Sequence, residues 1–213
     1  MKISAETVGP FQENSYLVVD EEAGRAVLID PGDEPLRLLE LIARSGARLD
    51  AIWLTHAHLD HVGAINGVRR AHPVPVYLHP LDRPLYDRAA EIAVLYGIPF
   101  EQPDPPDREL ADGAVMTVGA LRFEVLHTPG HAPGHVIFHG HGVILGGDLL
   151  FRGSVGRTDL PFSSAPDMEA SLARVSALPA GTIVHPGHGP ATTIAEELET
   201  NPFLNGTAMP VRR

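Results

Sequence analysis

The segment Thr55-His56-Ala57-His58-Leu59-Asp60-His61 places four potential metal ligands in six residues, directly after the short apolar run Ala51-Ile52-Trp53-Leu54. The chain has no cysteine, so any metal site must be built from imidazole nitrogen and carboxylate oxygen. His56 and His58 alternate as in an extended segment, while Asp60 and His61 enter the following helix and turn to another side. One stretch can therefore serve two neighbouring metals. Three further candidates sit in glycine-rich turns that also follow apolar runs. They are His131 in Thr128-Pro129-Gly130-His131, Asp148 in Gly146-Gly147-Asp148-Leu149, and His188 in His185-Pro186-Gly187-His188-Gly189-Pro190. Glycine permits close backbone approach and positive φ, so a short side chain can be aimed at a buried ion.

These turns need a scaffold, and the apolar pattern supplies one. Lys2 to Val8, Ser15 to Val19, Ala26 to Ile29, Ala51 to Leu54, Val76 to Leu78, Leu121 to Leu126, Val136 to His139, Val143 to Leu145 and Thr182 to Val184 read as strands. Helical spacing appears after Asp33, with Leu36, Leu39 and Ile42 on the stripe and Leu38 and Leu41 widening it. Further helices are expected at Val62 to Ala71, Ala89 to Tyr96, and Asp167 to Leu178 with Asp167 as N-cap. Phe100 to Arg108, rich in proline, reads as a loop. Strands and helices mix throughout and no linker divides the chain, which predicts a single layered domain over residues 1–213.

Composition narrows the function. In 213 residues, 16 Lys and Arg stand against 27 Asp and Glu, a net charge of −11, which argues against nucleic acid as partner. Met1 to Thr7 has no apolar stretch of signal-peptide length and no run of about 18 apolar residues occurs. The absence of cysteine suits a reducing compartment. A soluble cytoplasmic protein without a membrane partner is expected.

The ordered set from Asp30 to His188 resembles the metallo-β-lactamase superfamily: a His-x-His-x-Asp-His turn, a later His, an Asp and a last His. The resemblance implies an α+β fold, a four-layer αβ/βα sandwich with the metals at the sheet edges. It also implies that His56, His58 and His131 hold one metal, that Asp60, His61 and His188 hold a second, and that Asp148 bridges them. Zn(II) is the expected ion, with Fe(II) or Mn(II) alternatives. Two such cations lower the pKa of a shared water and stabilise an oxyanion, so a metal-bridging hydroxide would attack a carbonyl. Asp60 would be catalytic as well as a ligand, taking and returning the proton.

Gly153 to Pro161, Pro186 to Ile194 and Asn201 to Leu204 are similar to small bacterial glyoxalase II-like hydrolases, implying cleavage of a thioester such as S-lactoylglutathione. The C-terminal helical domain of full glyoxalase II is not expected, since only 25 residues follow His188. Alternatives are a persulfide dioxygenase-like enzyme with one iron and a lactonase of the same fold. Asp148 and the lack of cysteine make antibiotic hydrolysis a poor reading of the main role. Asp30 is either a turn former or an outer acceptor for a ligand histidine, and Arg157 with Asp159 either pairs beneath the site or touches substrate. One of His127 and His135 is a candidate to support a ligand. His139-Gly140-His141 reads as a solvated turn despite its spacing, and His72 and His79 as packing residues.

Overall fold

The computed structural model describes residues 1–207. The first six strands form one sheet in chain order: β1 (Lys2–Val8), β2 (Glu13–Asp20), β3 (Arg25–Ile29), β4 (Arg48–Trp53), β5 (Val76–Leu78) and β6 (Arg108–Glu109). The β1–β2–β3 pairs are antiparallel and the β3–β4–β5–β6 pairs parallel. Parallel neighbours need crossovers. These are α1 (Pro35–Ser45) between β3 and β4, and α2 (Leu59–Val62) with α3 (Ile65–Ala71) between β4 and β5. The short α4 (Arg83–Tyr86) and then α5 (Ala89–Tyr96) precede β6.

A second six-stranded sheet follows, with β7 (Val115–Val118), β8 (Leu121–His127), β9 (Val136–Gly140) and β10 (Val143–Gly147) as an antiparallel meander. A small hairpin, β11 (Leu150–Phe151) with β12 (Ser154–Val155), stands apart. Helix α6 (Ala165–Ser176) then carries the chain over to β13 (Ile183–Pro186), which runs parallel to β10, before β14 (Thr192–Thr193) and α7 (Ile194–Thr200).

Alternation along the strands reveals the layering. Val18, Val27, Ile29 and Trp53 of the first sheet pack with Phe123, Val125, Val136, Phe138 and Leu145 of the second. The opposite faces carry Leu17, Leu28 and Ile52 against Leu38, Ile42 and Ile65 of the helices, and Ile137, Ile144 and Val184 against Met168, Leu172 and Val175. Both sheets are covered on both faces, which gives the order α, β, β, α. Because β2 is covered on both sides, all eight of its residues are buried. No helix among the described residues is long and apolar enough to cross a membrane.

Three expectations need correction. The buried face of α1 is Leu38, Leu41 and Ile42, with Leu36 75% exposed, because the helix is rotated relative to the predicted stripe. The helix expected from Val62 to Ala71 is two pieces, α2 and α3. Gly63 separates them, and a Cβ there would crowd the Gly32 carbonyl. Helix α6 begins at Ala165, capped by the Ser164 hydroxyl, which accepts from the Asp167 N–H; Asp167 lies inside the first turn.

Candidate metal centre

Every candidate ligand follows the carboxyl end of a strand. Asp30 follows β3, the 56–61 turn follows β4, His131 follows β8, Asp148 follows β10 and His188 follows β13. The two sheets meet at this edge. The Tyr16 hydroxyl donates to the Pro186 carbonyl (2.7 Å), Asn14 N–H to Gly187 O (2.7 Å) and Val136 N–H to Thr55 O (2.8 Å). Strand ends far apart in sequence are thereby held around one volume. Gly187 must lack a side chain, since a Cβ would run into Asp148 and His61.

Two triads result. Ligand-type atoms of His56, His58 and His131 lie within 4.8 Å of one another, and so do those of Asp60, His61 and His188. Asp148 stands between them: Oδ2 is 3.4 Å from His131 Nε2 and 3.5 Å from His188 Nε2, while Oδ1 is 3.4 Å from His61 Nε2. Asp60 Oδ2 lies 3.3 Å from His188 Nε2. All seven predicted ligands come together. The buried atoms His56 Nε2, His61 Nε2 and Asp148 Oδ1 have no hydrogen-bond partner. Such atoms are costly unless something fills the space between them, and their lone pairs suit a divalent cation.

The surroundings hold the ligands in place. Asp30, at φ 48°, accepts the Thr55 N–H on Oδ1 (2.7 Å) and the Thr55 hydroxyl on Oδ2 (2.6 Å), with His61 Nδ1 3.1 Å from Oδ2. Of its two readings, the outer acceptor is the geometry seen. Asp30, His56 and His61 also form a third close group, but both Asp30 oxygens are already engaged. His135 rather than His127 supports a ligand: its Nε2 accepts the Asp148 N–H (3.1 Å) and its Nδ1 meets the Thr128 hydroxyl (2.9 Å). His127 stacks on His79 at 4.3 Å.

Arg157 and Asp159 do pair, with Nε–Oδ1 2.9 Å and Nη2–Oδ2 3.0 Å, but both residues are exposed, not beneath the site. It is the Arg157 backbone carbonyl that meets His131 Nδ1, at 2.9 Å. The second His-x-His sits elsewhere: His139 lies in β9 opposite Ile144, and His141 is exposed at the turn.

Beside the centre, two buried carboxyls escaped the sequence reading. Asp82 accepts the Ala57 N–H on Oδ2 (2.9 Å) and the Gly134 N–H on Oδ1 (2.5 Å), joining the 56–61 turn to the His131 loop. Nothing in its spacing marks it. Glu13 is fully buried, accepts from the Ser15 hydroxyl (3.0 Å), and places Oε1 3.8 Å from His61 Nδ1. Followed by the polar Asn14 and Ser15, it carries no signal of burial in the sequence.

Charge divides the centre. Burial and neighbouring histidines hold His56 well below the usual histidine range, and burial and His131 bring His58 down to about 3. Burial alone would also lower His61, but Asp148 and Asp60 push it well up. For Asp60, burial would raise the carboxyl, yet His61 and His188 bring it below its ordinary value. Burial, partly opposed by His61, pushes Glu13 well above the carboxylate range. The centre thus offers neutral imidazoles on one side and, on the other, carboxylates with histidines that would give up their protons to a divalent cation on binding.

Comparison with known proteins agrees with this geometry. The model of the metallo-beta-lactamase superfamily matches residues 8–188. Hydroxyacylglutathione hydrolase GloC of Haemophilus influenzae is 38% identical, over 96% of this chain and 99% of its own length. The probable metallo-hydrolase YqgX of Bacillus subtilis is 36% identical over 98% and 100%. Among solved structures, TTHA1623 in a di-iron-bound form is 51% identical with TM-score 0.87, covering 94% of this chain and 100% of that one. BLEG-1 B3 metallo-beta-lactamase is 38% identical with TM-score 0.90, covering 96% and 100%. ETHE1 from Myxococcus xanthus is 29% identical with TM-score 0.81, covering 97% and 85%. With its two covered sheets and its His and Asp cluster at their shared edge, the chain belongs to the metallo-beta-lactamase superfamily and has its fold.

Proposed function

We propose that this protein is a metal-dependent hydrolase of acyl thioesters, of which S-lactoylglutathione is one example. The observation that carries the reading is the position of Asp148 between two triads whose buried nitrogens lack partners. His56, His58 and His131 would hold one divalent cation and Asp60, His61 and His188 a second, with Asp148 shared; Zn(II) is the expected ion. Bound there, two cations would supply a hydroxide at neutral pH and charge to stabilise a tetrahedral oxyanion.

The chain's own residues do the rest. Asp60 keeps a partly exposed carboxylate 3.3 Å from His188 Nε2, which places it to accept a proton and pass it on. A leaving thiolate needs little help, because a free thiol has a pKa of about 8.5. Asp30 and His135 orient the groups behind it. The net charge of −11 suits a small-molecule substrate over a polyanion, and the name of the Haemophilus relative supports a thioester.

A mononuclear-iron persulfide dioxygenase is the second reading, with which the likeness to ETHE1 is consistent, and a lactone is a further substrate to test. The discriminating experiment follows protein loaded with Zn(II) or Fe(II) on S-lactoylglutathione, a lactone, a β-lactam and glutathione persulfide, with oxygen monitored. Thioester turnover without oxygen uptake is expected. Oxygen uptake on the persulfide, with one iron per chain, would replace the hydrolase reading.

A further inference from the structure

Beside Asp60 the surface folds into a cleft. Its walls are Val8, Pro10 and Phe11 from the β1–β2 turn, Leu59 from α2, and Ile98 and Phe100 from the segment after α5. Phe11 meets Tyr96 edge to face at 5.8 Å, so α5 closes one side. At the end of that helix Val94 and Leu95 are 75% and 84% exposed, apolar surface that water alone does not favour.

Among the described residues, no Lys, Arg or His lines the cleft. Besides Asp60 its charged residues are Asp33 and Glu101, both acidic. Glu101 is paired outward with Arg70 at 3.0 Å. Arg157, which interacts with Tyr96, is held in its two-pronged pair with Asp159. A ligand carrying carboxylates would therefore meet acid and apolar carbon, with no free cation among the lining residues. An uncharged hydrocarbon portion would meet the ring faces and aliphatic walls typical of a small-molecule site.

We propose that this cleft receives the thiol half of the substrate, and that this half is uncharged and apolar next to sulfur rather than a peptide thiol bearing two carboxylates. The inference rests on the thioester hydrolase reading, in which Asp60 faces the leaving group. Water adds its oxygen to the acyl carbon, the C–S bond breaks with its electron pair going to sulfur, and the proton taken by Asp60 passes to the thiolate. The products are a carboxylic acid and a free thiol.

The test is a set of lactoyl thioesters of benzyl mercaptan, N-acetylcysteamine and glutathione, each rate normalised to its own hydroxide-catalysed rate. The benzyl ester should exceed the glutathione ester in kcat/KM by about tenfold or more. Phe11→Ala and Ile98→Ala should each raise KM for the benzyl ester about fivefold, with kcat within about twofold. Asp33→Lys should improve only the glutathione ester. Independently of turnover, a non-hydrolysable benzyl thioether should bind metal-free protein in NMR titrations, with a Kd that rises in Phe11→Ala. Preference for the glutathione ester, or thioether binding indifferent to Phe11 and Ile98, would overturn this assignment. Failure of all three thioesters while the thioether still binds at Phe11 would instead remove the hydrolase reading.

Discussion

The two triads grow from the same six-residue turn, yet they are built for different work. His56, His58 and His131 are all imidazole, and burial holds each below the ordinary histidine range. Asp60, His61 and His188 mix carboxylate with histidine, and nearby carboxylates push both histidines up despite their burial. Asp60 and His188 keep partial exposure, and Asp60 borders the cleft beside α5. On the proposed reading the first triad would only hold a metal, whereas the second would hold one and also face substrate, so chemistry should be more sensitive to its residues than simple metal retention is.

Removing the residue between the triads should have the largest effect. Asp148→Ala takes charge from both sides, and with several kcal/mol of transition-state stabilisation at stake, activity should fall on the order of 10³-fold. Metal content should fall in both triads. Loss from one triad alone would mean that Asp148 is not shared.

Next in size is Asp60→Asn, which keeps shape but removes charge and basicity. A drop of roughly 10²-fold is expected, larger for an oxygen ester than for the thioester, with metal in the His56 triad largely retained. Normal turnover on both esters would remove Asp60 from the chemistry.

Asp82 tests the holding site through its scaffold. Asp82→Ala leaves the Ala57 and Gly134 N–H groups without their acceptor, and should weaken metal affinity at the His56 triad by roughly 10-fold to 100-fold. Burial lifts this carboxyl from 3.8 to about 6, although the two N–H groups pull the other way. Since the folded value lies above the unfolded one, its contribution to stability is present below about pH 4 and is lost as pH rises through 6. Urea unfolding of metal-free protein should thus show Asp82→Asn gaining on the wild type between pH 4 and 6.

The smallest effect is expected at the second His-x-His. Replacing His139 and His141 with alanine should leave metal content and activity within a few-fold, since they lie outside both triads.

That contrast shows what was legible in the sequence. His56-Ala57-His58 and His139-Gly140-His141 share a spacing, and only context separates them. The first follows the carboxyl end of a parallel strand where two sheets meet; the second reverses a hairpin. Runs of β-branched residues between glycines revealed most strands, and the ordered His and Asp turns revealed the centre. Asp82 and Glu13 stayed hidden because their roles depend on backbone N–H groups and side chains that tertiary packing brings to them. The stripe of α1 was misread by a fraction of a turn, since five apolar positions in seven residues fit more than one face. The short strands β6, β7, β11, β12 and β14 carry too little pattern to stand out, and pairing alone defines them.

The central claim is that one continuous centre holds two metals with Asp148 between them. Anomalous diffraction from crystals of Zn(II)-loaded protein tests it most directly. Two peaks about 3.5–4 Å apart are predicted, one among His56, His58 and His131 and one among Asp60, His61 and His188, with Asp148 contacting both. A single peak, or a peak seated on Asp30, His56 and His61, would contradict it.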